Sequence, residues 1–199
     1  MYCAVSDLPL NLSRRNYNSE PYPHFHVEDA IPSEVEARLI AWLEEDAPWR
    51  LTRAVFYEQH EFSLRDCVIP DDISHIKSDS FLRYLQHCFS ESFTTEFQDR
   101  VDITAHRLTP GQVIKIHNDY IPGGETHRLL IQLNRSWVPT QGGLLVLFSS
   151  QSEKGVSKFI IPKSRSAFGF EISSKSLHAV SKITSGSRFT LVYSFYAKP

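Results

Sequence analysis

The chain has 199 residues, 41% hydrophobic and 22% charged, with 21 Lys and Arg against 23 Asp and Glu. That length suits one domain with a proper buried core, and a formal charge of −2 excludes the basic footprint of a nucleic-acid binder. No apolar run approaches the roughly 18 residues of a membrane span. An N-terminus with Arg14 and Arg15 has no signal-peptide core, and three scattered cysteines (Cys3, Cys67, Cys88) fit a reducing, cytoplasmic setting.

Residues 1–20 are polar and irregular, and read as a lead-in. Pro21, Pro23 and the aromatic stretch Tyr22 to Val27 predict a first extended piece, with His24 and His26 on the solvated face of an edge strand. Ser33 and Glu36 have capping-box spacing, and Val35, Leu39, Trp42 and Leu43 recur at helical period before Pro48. Glu44, Glu45 and Asp46 at the end of that helix read as a solvated face. Trp49 to Leu64 reads as strand and loop. A second helix is predicted from about Ser80 to Phe97, where Phe81, Leu82, Leu85, Cys88, Phe89 and Phe93 make one stripe.

From Val101 onward the pattern changes to short β-rich runs (VDITAHRL, QVIKIH, RLLIQLN, GGLLVLF, SKFIIP, SAFGFEI, SRFTLVYSFY) broken by Pro, Gly, Ser and Asn. Two helices against a β unit of about seven or eight strands, mainly β in class and jelly-roll in form, is the predicted architecture. The expected organisation is a single domain, with 21–100 as helical support and 101–199 as the barrel core.

The chemistry-bearing residues lie in that β half. His117 and Asp119, in KIHNDY, are two apart at a predicted strand end, and period-two geometry puts both on one face. His178, in KSLHAV, follows 61 residues later. Two imidazoles and one carboxylate make a facial triad with positions left open, the set used by non-haem Fe(II) oxygenases. The absence of thiolate disfavours a structural zinc site. Arg188, ten residues past His178, shares a strand face with Thr190. A guanidinium fork beside a hydroxyl suits a carboxylate held by a bidentate, charge-assisted pair.

Residues from about Val101 to Phe195 resemble the prolyl-hydroxylase-like 2-oxoglutarate/Fe(II) dioxygenases. TPGQVIKIHNDY is similar to the family's glycine, strand and H-x-D. RLLIQLNRSW is similar to its "R…YLN..W" strand, QGGLLVLF to its "GG-x-L" strand, and SLHAVSKITSGSRFTLVYSF to its "H-x-V…G-x-R-x-(S/T)-L" ending. The resemblance implies a double-stranded β-helix with His117, Asp119 and His178 as Fe(II) ligands at its mouth. Arg188 and Thr190 would anchor 2-oxoglutarate, O₂ would be the second cosubstrate, and ascorbate a supporting reductant. Oxidative decarboxylation would yield succinate, CO₂ and an oxidant that removes a substrate hydrogen and returns a hydroxyl. The intact Asp119 argues against the halogenase branch. Desaturation and cyclisation remain open, because the pocket decides the outcome.

The chain departs from the family in two places. Gln132 stands where many relatives have a cosubstrate-binding Tyr, and an amide can still donate there. Arg107 and Leu108 stand where several relatives have another Tyr. Arg107 and Lys115 share parity with His117 if the strand is continuous, and would then make a basic pocket for a substrate carboxylate or the cosubstrate's C1 end. His127 reads as a loop or strand-edge residue that, if functional, touches substrate and not metal. His60, His75, His87 and His106 have no partners at ligand spacing and read as structural. Trp49 and Phe56 to Phe62 are either pocket walls or core, and the loops Gln59–Ser78 and Tyr120–Thr126 are candidate lids or docking edges.

The expected partner is a small-molecule or peptidyl substrate, with no nucleic acid and no membrane; oligomeric state is not legible. Two other readings stand beside the dioxygenase: a non-catalytic β-barrel module for a carboxylate ligand, and a cupin-like metal enzyme that does not use 2-oxoglutarate.

Overall fold

In the computed structural model, which describes residues 10–13 and 15–199, most of the predicted β-rich runs become strands. The N-terminal half supplies β1 (Asn16–Asn18), β2 (His24–Val27), α1 (Ser33–Glu45), β3 (Arg50–Arg53), β4 (Glu58–Ser63) and α2 (Asp79–Phe93). A 3-10 turn, Asp71–Lys77, leads into α2. The C-terminal half supplies β5 (Phe97–Leu108), β6 (Ile114–His117), β7 (His127–Gln132) and β8 (Leu145–Phe148). It ends with β9 (Val156–Ile160), β10 (Ala167–Glu171), β11 (His178–Val180) and β12 (Arg188–Ala197).

Two antiparallel sheets result. The larger has eight strands in the order β1-β2-β10-β7-β12-β5-β4-β3, and the smaller has four in the order β6-β11-β8-β9. Non-consecutive neighbours in both sheets give the double-stranded β-helix. Both helices pack against one face of the large sheet, and the small sheet covers the other.

Strand alternation sorts the residues between these two environments. On β12, Phe189, Leu191, Tyr193 and Phe195 join the helix-side core with Leu39, Leu43, Phe81, Leu85 and Phe89. Fully burying a side chain such as Phe89 stabilises the fold by roughly 2–3 kcal/mol. The alternate residues Arg188, Thr190, Val192, Ser194 and Tyr196 line the space between the sheets. The same parity holds on β5 and β7, where Val101, Ile103, Leu129 and Ile131 pack on the helix side. Thr104, His106, Arg128 and Leu130 face the small sheet.

Several elements differ from expectation. The capping box does not form: Ser33 is already in the first turn behind Pro32, and Glu36 instead accepts a hydrogen bond from Ser164 Oγ. Helix α2 is capped by Ser78, whose Oγ accepts from Phe81 N at 3.3 Å. It stops at Phe93 because Thr94 turns left-handed (φ +53°), freeing Phe97 to open β5. Strand β2 is not an edge strand, since β1 flanks it and His24 is wholly buried against Phe168. Part of the predicted lead-in is structural, with Leu10 and Leu12 in the core; its first nine residues lie outside the described range. The stretch Gln59–Ser78 is no lid, because β4 pairs with β5 and Ile73 and Ile76 are buried in the core. Among the described residues, no helix is long and apolar enough to cross a membrane.

Candidate active site

His117 closes β6, His178 opens β11, and the two residues face each other in the strand register. Their rings lie 4.2 Å apart between centroids. Each ring is fixed in the same way: His117 Nδ1 donates to Lys115 O and His178 Nδ1 to Ser176 O, both at 2.8 Å. A carbonyl only accepts, so Nδ1 carries the proton and the neutral ring presents a lone pair at Nε2. Burial pushes the His178 pKa down and favours that neutral form.

Asp119 reaches the same point by a different route from the predicted one. The strand ends at His117, and a left-handed backbone at Asp119 (φ +59°), which aspartate tolerates, turns its carboxylate back. His117 Nε2 is 3.3 Å from Oδ1, and His178 Nε2 is 3.1 Å from Oδ2. The three ligand atoms all lie within 4.8 Å of one another. With Nε2 of each ring unprotonated these atoms are all acceptors, a set that a cation between them satisfies. Two imidazole nitrogens and a carboxylate oxygen on one face fit Fe(II) with positions left open.

Arg128, on the opposing large sheet, bridges the two sheets. Its guanidinium donates to Asp119 Oδ2 and to both oxygens of Glu125. Burial pushes the Asp119 carboxyl up, but the neighbouring Arg128 charge works against that, and the carboxyl lies well below the usual carboxylate range. Phe56 stacks on His117 (4.5 Å, 26°), and Phe170 packs edge-on to His178 (5.2 Å).

The triad opens into a cavity of about 400 Å³ whose floor is the large sheet. Arg188 lies there, 4% exposed, its Nη1 donating to Thr190 Oγ1 at 2.9 Å, with no partner for Nε among the described residues. Thr190 Oγ1 in turn donates to Gln132 Oε1 at 3.1 Å, so Gln132 backs Thr190. Burial lowers the Arg188 pKa to about 10, still charged at neutral pH. A buried guanidinium without a carboxylate partner is costly unless an anion joins it. The double glycine of QGGLLVLF makes room for its stem: Gly143 (φ +66°) could carry a Cβ only at 2.9 Å from Arg188 Cδ.

Strand register extends this anchor into a row running Glu61, His106, Thr190, Gln132 across β4, β5, β12 and β7. His106 is therefore in the cavity, against the expectation of a remote structural residue; Thr104 Oγ1 lies 3.1 Å from its Nε2. Burial, reinforced by Arg128 and Arg188, takes its pKa to about 3.

The three candidate substrate residues are not brought to the cavity. The turn at Gly111 (φ +94°) separates β5 from β6 and resets the phase, so Arg107 points to the helix side, 4.9 Å over the Trp49 ring. Lys115 is exposed and does not line the cavity; its backbone N–H donates to Phe56 O at 2.9 Å. His127 lies one residue out of phase with Arg128, buried among Phe89, Phe93 and Phe97. The basic pocket expected from Arg107 and Lys115 does not form. Of the aromatic candidates, Phe56 and Tyr57 wall the cavity and Trp49 belongs to the core. Arg128, Glu125, Gln59 and Glu61 were not singled out from sequence; the available signal was parity, since Arg128 shares it with Gln132.

A jelly-roll with two histidines and a carboxylate at its mouth, and a buried arginine behind them, has the ligand set of a non-haem metal oxygenase centre. Residues 103–196 match the family described as the 2OG-Fe(II) oxygenase superfamily. The fold is similar to a prolyl-4-hydroxylase from Pseudomonas putida (TM-score 0.68, 16% identity, 94% of this chain and 96% of that one). It is also similar to a Trichoplax adhaerens prolyl hydroxylase in complex with a hypoxia inducible factor peptide fragment (0.65, 13%, 87% and 83%). A third similar structure is the viral collagen prolyl hydroxylase of Paramecium Bursaria Chlorella virus-1 (0.63, 15%, 88% and 96%). Comparison with curated proteins returned no significant match. Residues 103–196 carry that match, and the chain is a 2-oxoglutarate-dependent dioxygenase using Fe(II) and O₂.

Proposed function

We propose that this dioxygenase hydroxylates an amino-acid or amino-acyl (peptidyl) substrate, releasing succinate and CO₂. His117, Asp119 and His178 hold the Fe(II), and Arg188 with Thr190 holds the far carboxylate of 2-oxoglutarate. One observation carries this reading: an acceptor-only triad and an unpaired buried guanidinium open into the same cavity. The similarity to prolyl hydroxylases, one of them bound to a peptide, supports an amino-acyl substrate.

When bound, iron, cosubstrate and O₂ supply the oxidising power for inserting oxygen into a C–H bond. The chain's own residues do the positioning. Lys115 O and Ser176 O keep both imidazoles oriented, and Arg128 ties back one carboxylate oxygen of Asp119. Leu130, Leu145, Val180 and Val192 line the cavity with apolar surface that excludes water from the reacting end.

The test is anaerobic addition of Fe(II) and 2-oxoglutarate, followed on the visible metal-to-ligand charge-transfer band. Wild type should develop the band, His117→Ala should lose it, and Arg188→Ala should need much more 2-oxoglutarate to reach it. Bound iron without a band would favour a metal enzyme that does not use 2-oxoglutarate. No bound iron at all would leave a binding module.

A further inference from the structure

Among the described residues, each carboxylate facing the cavity has a guanidinium partner, with one exception. Asp119 and Glu125 share Arg128. Asp102 accepts from Arg100 and, at 2.6 Å, from the Tyr196 hydroxyl. Arg188 faces the end assigned to the cosubstrate, whose far carboxylate is its partner in the proposed complex. Glu61 on β4 is left over. Arg50 lies opposite it in the β3–β4 register but is exposed and makes no ion pair with it. His106 Nε2 is 3.9 Å away, and burial between two guanidinium groups keeps that ring neutral.

A second group points the same way. Gln59, two residues before Glu61 on the same face of β4, lines the cavity and is 3% exposed. Its Nε2 donates to Glu61 Oε2 at 2.7 Å, which commits the amide orientation and leaves Oε1 buried with no donor. Leaving a buried acceptor unmatched costs about 1–3 kcal/mol, so such a group is expected where a ligand supplies the missing donor. Tyr57, on the same side, adds an aromatic wall, as Phe56 does beside it. A carboxylate, an orphan amide oxygen and aromatic rings are complementary to a positive group rich in N–H donors.

We infer that the substrate carries a guanidinium or ammonium side chain, received by Glu61 and Gln59. This rests on the dioxygenase reading above and names the substrate class of that same site. Glu61 stands two strands from Thr190, a lateral separation of about 9–10 Å at the usual strand spacing. The cationic group and the cosubstrate's anchored carboxylate therefore occupy different parts of the floor.

The experiment uses the anaerobic Fe(II)–2-oxoglutarate protein and four probes: N-acetyl methylamides of arginine, lysine, glutamine and glutamate. Each is titrated while the charge-transfer band is monitored for perturbation, and binding is measured in parallel by calorimetry. The arginine and lysine probes should bind at least about ten-fold more tightly than the glutamine and glutamate probes, a difference of about 1.4 kcal/mol. Glu61→Gln should remove that preference, and Glu61→Lys should turn it toward the glutamate probe. Equal binding of all four probes, or a preference unchanged in Glu61→Gln, would overturn the inference. If the band never forms, the cosubstrate reading fails, and calorimetry with the protein alone still decides the charge preference.

Discussion

The two sheets hold their functional groups by different means. On the small sheet, each histidine is oriented by a carbonyl two residues earlier in its own chain, and the two meet because β6 and β11 are direct neighbours. On the large sheet, Arg188 depends on Thr190, Thr190 on Gln132 from another strand, and Arg128 on partners from outside its strand. Local fixation gives a pair of histidines whose orientation survives small shifts between sheets. Cross-strand fixation gives guanidinium groups whose placement depends on register.

The largest expected effect separates anchoring from folding. Arg188→Met should raise the 2-oxoglutarate dissociation constant by roughly 30- to 1000-fold, the cost of removing one partner of a buried ion pair. The cosubstrate-free protein should at the same time become more stable to heat, because a buried unpaired charge has gone. Weakened binding without a raised Tm would mean that the guanidinium is already well accommodated. Arg128→Met should weaken Fe(II) binding by about 10- to 100-fold, as expected for a group that orients a metal ligand. Titration with Mn(II) followed by electron paramagnetic resonance would measure it. Unaltered metal affinity with poorer substrate binding would move Arg128 into the substrate site.

A third effect is read in acid. Burial lowers the His127 pKa to about 4, against about 6.5 in the unfolded chain. Between those values the unfolded chain binds the extra proton, so His127 contributes a loss of stability as pH falls from about 6.5 toward 4. His127→Leu, which suits the surrounding phenylalanines, should flatten denaturant stability across that window. An unchanged slope would show that His127 protonates freely in the fold. The smallest effect concerns the helix side of β12: Tyr193→Phe loses the bond to Ile76 O at 3.0 Å. That should cost about 1 kcal/mol, or roughly 2–4 °C in Tm, and leave Fe(II) affinity as it was.

The same contrast explains what could be read from the amino acids. His117, Asp119, His178, Arg188 and Thr190 lie in short stretches whose spacing carries their relation, and all five meet at one cavity. Even there the means differed, since a left-handed turn and not strand periodicity brings in Asp119. Arg107 was misplaced because a parity argument does not survive the glycine turn between β5 and β6, and Lys115 because the register shift between β6 and β11 breaks the alternation inside β6. His127 and Arg128 are adjacent in the chain yet belong to opposite faces, and only the strand's phase tells them apart. Glu61, Gln59 and His106 depended on β4 pairing beside β5, a long-range fact that no local pattern states. The β-rich half yields the eight strands β5 to β12, the upper of the two predicted counts, whereas β1 to β4 are short and were legible only as an extended piece and a strand-and-loop stretch.

Strand β12 alternates residues committed to the helix-side core with residues committed to the cavity. Adaptation to a new substrate can therefore proceed on every second residue while the intervening ones keep the protein folded. Ser194 on β12 and Thr104 on β5, both half-buried in the cavity wall, are the positions where variation would explore new chemistry at the smallest risk to the scaffold.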